Sequence, residues 1–285
     1  MSENQNQIQW YPGHMAKARR EIEDSVKLVD VVIEVLDARI PVASRNPVLN
    51  EIIKNKPRII VLNKADLADE NASKAWQKKL DGENQKAVIC DSNQGKGINE
   101  IVNIAIEMMQ GKIDKEASKG RTGASVKVMI VGIPNVGKST IINKIAKKQT
   151  AEVSNKPGVT KKNQWIRLDD RIQLLDTPGV LWPKFEDEKL ANHLAYVGTI
   201  KDDIVDVETL AYNFLKELVK DYKANVFARY KISDDFEYDD ITMLMDEIGK
   251  KTGCLVKGGE VDYTKVANII LEDFRTGKIG RITLE

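Results

Sequence analysis

The sequence predicts an α/β fold, a parallel sheet with helices on both faces, joined to a smaller all-helical domain. Three observations predict it. Before Ala195, short apolar runs rich in Val and Ile alternate with amphipathic segments, the pattern of strands buried on both sides by crossover helices. One run, Val128-Met129-Ile130-Val131, passes straight into Gly132-Ile133-Pro134-Asn135-Val136-Gly137-Lys138-Ser139-Thr140 and then into an apolar helix start at Ile141, Ile142 and Ile145. Beyond Ala195 the strand signals fade and apolar residues recur only at helical spacing.

Taken in order, the chain opens on a polar stretch followed by Trp10-Tyr11-Pro12-Gly13-His14-Met15, where Pro12-Gly13 is a turn signal. Met15, Ala18, Ile22, Val26 and Val29 then mark a helix. Val31 to Leu36 reads as a buried strand ending in Asp37-Ala38-Arg39. A second strand, Arg58 to Leu62, runs into Asn63-Lys64-Ala65-Asp66, and a polar helix carrying Trp76 and Leu80 follows. A third strand, Ala87 to Cys90, leads to Asp91-Ser92-Asn93, with a helix from Ile98 to Met109. Gly111 to Ser125 is rich in Gly, Lys and Ser and reads as a flexible connector. Thr150 to Lys162 reads as an irregular loop. Gln164 to Leu168 and Arg171 to Leu175 form a hairpin around Asp169-Asp170, ending in Asp176-Thr177-Pro178-Gly179. The helical domain has stripes at Val207 to Tyr222, Ile241 to Ile248 and Tyr263 to Phe274, the last stopped at Gly277. The expected domains are 1–194 and 195–285.

The 285 residues are enough for a full core, and 42% hydrophobic with 31% charged residues suits a globular chain. The net charge of +1 does not announce a polyanionic partner. From Ala195 onward there are 13 Lys and Arg against 18 Asp and Glu, so nucleic-acid contacts there would have to be local. Cys90 and Cys254 have no metal-ligand spacing and read as ordinary reduced thiols. No apolar run is long enough to span a membrane and the first residues lack a signal-peptide core, so a cytoplasmic location is expected.

The strand–G-x-x-x-x-G-K-S–helix order at Gly132 to Ser139 is that of a phosphate-binding loop. Its N–H groups can curl around phosphate oxygens at a helix N-terminus, with Asn135, Val136, Gly137 and Thr140 in the cradle. Lys138 can reach the terminal phosphates and Ser139 can hold a bridging Mg²⁺. Asn63-Lys64-x-Asp66 directly after a strand fits a guanine-reading loop. The Asp66 carboxylate can accept from the ring N–H and the exocyclic amine of guanine, donors that adenine lacks there. Asn63 would read the other edge, the Lys64 stem would pack on the ring, and the loop at Ser92 and Asn93 would give a second base contact. Asp176 can hold Mg²⁺ through water, and the Gly179 N–H can sense the terminal phosphate. Thr160, 22 residues after Lys138, is a hydroxyl available to Mg²⁺ or simply a loop residue.

In a Ras-like GTPase the phosphate loop comes first and Asn-Lys-x-Asp last. Here the order is reversed, which implies a circular permutation of the same sheet. Together with Trp10 to Met15, Asp37-Ala38-Arg39, Pro157-Gly158-Val159-Thr160, Asp176 to Gly179, Gly198-Thr199-Ile200-Lys201-Asp202 and Gly280 to Glu285, these motifs make the chain resemble the YlqF-type, ribosome biogenesis GTPase A family over nearly its whole length. The resemblance implies a circularly permuted Ras-like P-loop GTPase domain with a helical domain, late assembly of the large ribosomal subunit, GTP and GDP as ligands, and hydrolysis that is slow alone and stimulated by the particle. It implies as partner the large-subunit precursor, rRNA and ribosomal proteins included, no membrane, and a monomer away from the ribosome. Ser92-Asn93 departs from the Ser-Ala common in GTPases.

Ras-like enzymes orient the attacking water with a Gln after the Asp-x-x-Gly; here Val180 stands there. The resemblance points to His14 as the catalytic substitute, and a helix cap is the competing reading. Similar GTPases use the residue at Asn135 to bind K⁺, which can act as an arginine finger does. Lys17, Arg19, Arg20, Lys27, Lys250, Lys251, Lys257, Arg275, Lys278 and Arg281 are either RNA contacts or solvated faces. His193 reads as structural. The alternative to an assembly GTPase is a GTP-sensing regulatory module with a protein partner and incidental hydrolysis.

Overall fold

The computed structural model describes residues 12–53, 56–120, 125–147, 165–169, 171–175, 187–200 and 206–285; for 12–18, 48, 147, 168 and 169 it describes the backbone alone. The chain divides into two compact units, Met1–Lys184 and Phe185–Glu285.

The first unit is built on a six-stranded sheet in the order β3-β2-β1-β4-β6-β5. The strands are β1 Val31–Asp37, β2 Arg58–Asn63, β3 Gln85–Ile89, β4 Val126–Gly132, β5 Trp165–Asp169 and β6 Ile172–Leu175. All pairs are parallel except β5 with β6, whose hairpin makes them antiparallel. Every residue of β1 and β2 is buried, which is why both read as continuous apolar runs rather than alternating ones. β1 lies between β2 and β4, with Asp37 opposite Asn63 and Val35 opposite Gly132. The C-terminal ends of β2 and β4, where both loops of interest begin, therefore flank one strand end.

On one face, Val32, Met129, Val131 and Leu175 pack against Ile22, Val26 and Val29 of α1 (Pro12–Leu28) and against Leu49 and Ile53 of α2 (Pro47–Ile53). Leu36, Ile60, Leu62 and Ala87 pack with Leu80 of α3 (Glu70–Leu80), and Trp76 joins them. The alternate residues Ile33, Val35, Ile59 and Val61 are also buried, so the opposite face is covered. Helices α4 (Ile98–Met108) and α6 (Lys138–Lys147) contact the sheet there and each other. Each large apolar side chain so buried contributes about 1.5–3 kcal/mol.

Within β1 a carboxylate interrupts the apolar run. Glu34 lies between Val32 and Leu36 on the same face, fully buried, with Arg58 Nη1 at 3.2 Å and Arg45 Nε at 3.7 Å from its carboxylate. Burial pushes the Glu34 carboxyl up, and the two guanidinium groups oppose that shift.

The stretch expected to be a flexible connector is partly a helix. Residues Gln110–Ala117 form α5. Lys112 Nζ reaches Asp30 at 2.5 Å, and the other Asp30 oxygen accepts from the Lys127 N–H at 3.0 Å, so α5 is tied to the start of β4. Residues 121–124 lie outside the described set, as do the expected loop Thr150 to Lys162, Asp170 at the hairpin turn and the stretch Asp176 to Gly179.

The second unit contains α7 (Glu188–Tyr196), α8 (Val207–Tyr230), α9 (Ile241–Thr252) and α10 (Tyr263–Arg275). Asp187, Asp206 and Asp262 accept N–H bonds at the starts of α7, α8 and α10 as N-caps. The division falls about ten residues ahead of the expected Ala195, because α7, which carried no stripe long enough to read, packs with α8 and α10. Tyr196, Phe214 and Phe274 form the aromatic centre, with ring centroids 4.9 and 4.7 Å apart. Helix α8 kinks at Tyr222, whose φ is −125°, and the Tyr222 hydroxyl bonds the Thr283 carbonyl and N–H at 3.1 and 3.2 Å. Among the described residues no helix is long and apolar enough to cross a membrane.

Candidate functional site

The two loops that carry the sequence motifs meet at one side chain. Asn63 ends β2 and is buried. Its Nδ2 donates to the Val136 carbonyl in the phosphate-binding loop at 2.7 Å, and its Oδ1 accepts from the Ser92 N–H at 3.1 Å. A primary amide presents a donor and an acceptor at opposite ends, so it can clamp two backbone segments at once. The Ser92 segment is itself a closed turn, with Asp91 and Lys96 exchanging backbone bonds at 3.1 and 3.0 Å and the Gln94 N–H bonding Asp91 Oδ1 at 3.0 Å.

Gly137 shows how tight this junction is. Its φ is +99°, and a Cβ there would lie 2.2 Å from Asn63 Nδ2. Gly132 is similarly constrained, since a Cβ would lie 2.5 Å from the Val35 carbonyl of β1. The two glycines of the motif thus do different work: Gly132 lets the loop leave β4 against β1, and Gly137 lets it pass beneath Asn63. Asn135, with φ of 62°, is exposed in the same loop. Val136 is buried, while Ser139 is exposed in the first turn of α6 beside the half-buried Thr140.

Lys138 folds back over the loop, its Nζ 2.9 Å from the Gly132 carbonyl and 2.6 Å from that of Ile133. Burial lowers its pKa to about 8. Asp66 and Asn93 are exposed on the loops that follow β2 and β3, and Asp66 makes no hydrogen bond or ion pair with another described residue.

The residues divide plainly. Asn63, Ser92, Val136 and Gly137 come into contact, Lys138 closes the same loop, and Lys64, Asp66, Asn93, Asn135, Ser139 and Thr140 lie on the adjoining segments. Thr160, Asp176 and Gly179 lie outside the described residues, and for His14 only the backbone, in α1, is described. Among the cations weighed as RNA contacts, Arg275 is turned inward. It donates to the Tyr196 and Ala195 carbonyls at 2.9 and 2.8 Å and so caps the end of α7. Arg19 pairs with Glu23 and Glu51, and Lys278 with Asp273, whereas Lys250 and Lys257 remain exposed. His193 is buried between two carboxylates, with Glu285 on Nδ1 at 2.7 Å and Glu217 on Nε2 at 2.9 Å. Burial alone would push its pKa down, but the hydrogen bonds it donates to Glu217 and Glu285 outweigh that and raise it to about 9.

One contact had no counterpart in the motif reading. Lys64 Nζ lies 3.0 Å from Asp37 Oδ2, at the end of β1. The only signal in the sequence was a charged pair, Asp37 and Arg39, closing an apolar strand.

The chain is similar to known proteins in sequence and in fold. A family model described as 50S ribosome-binding GTPase matches residues 127–230, which begin at β4 and leave out the Asn63 half of the sheet. Ribosome biogenesis GTPase A of Bacillus licheniformis is 46% identical, with 98% of each chain covered. The protein of that name from Thermotoga maritima is 31% identical over 98% of this chain and 94% of its own. The GNP-bound structure of YlqF from T. maritima superposes with a TM-score of 0.65 at 27% identity, covering 94% of this chain and 97% of that one. A circularly permuted GTPase sheet followed by helices, shared along nearly the full length, places the chain in the ribosome biogenesis GTPase A family.

Proposed function

We infer that this chain binds and hydrolyses GTP and uses the cycle in late assembly of the large ribosomal subunit. The observation that carries this is the Asn63 amide, which holds the base-reading loop and the phosphate loop in register at 2.7 and 3.1 Å although Val136 lies 73 residues away. A nucleotide is the ligand class that needs both loops at a fixed separation. Asp66, exposed and without a described partner, is available to accept from guanine, with the Lys64 stem against the ring and the Ser92-Asn93 loop as the second base contact. The N–H groups of the 132–140 loop and Lys138 take the phosphates.

The donor set fits Mg²⁺. Ser139 presents an exposed hydroxyl in the first turn of α6, next to Lys138, and bonds no other described residue. The metal would take its other oxygens from nucleotide and water, as Mg²⁺ prefers. Thr160 and Asp176 are its further proposed ligands, and Gly179 senses the terminal phosphate. When bound, Mg²⁺ neutralises charge on the transferring phosphate. Asn135, exposed with a left-handed backbone in the loop, is the proposed contact for K⁺. His14 stands in for the missing glutamine. The helical unit, with exposed Lys250 and Lys257, supplies local RNA contacts, in a cytoplasmic protein that is monomeric off the ribosome.

The test is co-sedimentation with large-subunit particles in GDP and in a nonhydrolysable GTP analogue, alongside GTP turnover with and without particles. Tighter association with the analogue and turnover raised by the particles are expected. Association independent of nucleotide, or turnover unchanged by particles, would contradict the assignment and leave a regulatory module.

A further inference from the structure

Asp37 is buried at the end of β1 and holds more partners than its own charge requires. Arg39 Nε lies 2.9 Å from Oδ1 and Arg39 Nη2 lies 2.8 Å from Oδ2, a two-pronged pair in which both side chains are 1% exposed. The Arg39 N–H adds a bond to Oδ1 at 3.1 Å, and Ser44 Oγ accepts from the Asp37 N–H at 3.1 Å. This pair is already neutral and saturated. Yet Lys64 Nζ is drawn in to 3.0 Å from Oδ2, although its side chain is 21% exposed and could reach water. Lys64 also has a left-handed backbone, φ 59°, which a non-glycine residue adopts at a cost. Holding a long flexible side chain at both ends costs further entropy. A contact assembled against two costs needs a reason beyond the Asp37–Arg39 pair.

The strand order supplies one. Lys64 begins just beyond β2, its ammonium ends over β1, and the next strand, β4, carries the phosphate loop. Its stem therefore runs from the base-reading loop towards the phosphate loop. We propose that Asp37 is a positioning residue for guanine nucleotide: it tethers the Lys64 ammonium so that the Lys64 stem lies stretched as an apolar floor beneath the base. The proposal rests on the assignment of Asn63-Lys64-x-Asp66 to the base. Arg39 keeps the tether charged. Burial alone would raise the Asp37 carboxyl, but the Arg39 and Lys64 cations hold it well below the usual carboxylate range. The ammonium is held at Asp37 Oδ2, at the end of β1, so what Asp37 fixes is the stem beneath the base and not a contact to the phosphates.

The test is a double-mutant cycle on the full chain, with Asp37→Asn, Lys64→Ala and both together. Binding of GDP and of inorganic pyrophosphate is measured for each. Asp37→Asn weakens GDP about tenfold while Lys64 is present, adds nothing once Lys64 is alanine, and leaves pyrophosphate unchanged. Equal losses in both Lys64 backgrounds, or a parallel loss of pyrophosphate, would make Asp37 a scaffold residue and overturn the proposal. If Asp37→Asn does not fold because Arg39 is left buried without its counter-charge, the neutral pair Asp37→Asn with Arg39→Gln takes its place in the same cycle. A GDP loss on Lys64→Ala with none on Asp37→Asn sinks the tether alone. No GDP loss on Lys64→Ala sinks the assignment of the loop to the base, and the tether with it.

Discussion

Asn63 does at the residue scale what the whole sheet does at a larger one, joining a loop from each half of the chain. Removing its amide strands two backbone groups, the Val136 carbonyl and the Ser92 N–H. An unsatisfied buried group costs about 1–3 kcal/mol. Asn63→Ala is therefore expected to weaken GDP by about five- to a hundred-fold, measured by calorimetry, with the loss shared between base and phosphate contacts because both loops loosen. The motif Asn63-Lys64-x-Asp66 and the glycine loop at 132–140 were legible in the sequence as two separate loop motifs, each following a strand. Their junction was not. Nothing in the order of residues says that Asn63 would touch a carbonyl 73 positions away, or that Gly137 would lie beneath it. The Asp37–Lys64 contact was hidden for the same reason, since the sequence marks Lys64 as part of one loop motif and Asp37 as the close of a strand, with nothing to join the two.

At the scale of elements, legibility followed burial. The strands β1, β2 and β4 are continuous apolar runs because they are covered on both faces, and their positions could be read to within a residue or two. Helix α5 buries no residue and so shows no apolar stripe; its Lys, Glu and Ala content, with a Gln110–Asp114 bond, forms it locally. In the helical unit, the His193 clamp joins α7, α8 and the Glu285 side chain. The folded pKa of His193 is about 9 against an ordinary 6.5, so the stabilisation is fully present below pH 6.5 and is lost as pH rises through 9. Glu217 is shifted down, after burial is outweighed by its bond to His193, so its share is lost as pH falls into the acid range. Between pH 6.5 and 9 the clamp that holds α7 to α8 and Glu285 should weaken by on the order of 3 kcal/mol. Exchange protection of α8 and α10 across that window reports it, and His193→Gln should flatten the profile. A wild-type profile as flat as the variant's would show that the histidine is not charged in the fold.

For the whole molecule, the reversed motif order leaves the sheet intact. The strands come in the order β3-β2-β1-β4-β6-β5, and β1 and β4 are neighbours although α2 to α5 separate them in the chain. The permutation was legible because two motifs stood in the wrong sequence order, while the path of α5, which ties the linking segment back to Asp30, needed the structure. Strand ends, glycine clearances and the Asn63 amide all serve one geometry, in which loops from the two halves meet, and the proposed function has them address a single ligand. Isothermal titration of the full chain with GTP and with ATP in Mg²⁺ tests that geometry most directly. One saturable site that takes GTP and discriminates against ATP by a hundredfold or more, about 2.7 kcal/mol, is the predicted result. Equal affinity for the two nucleotides would contradict it.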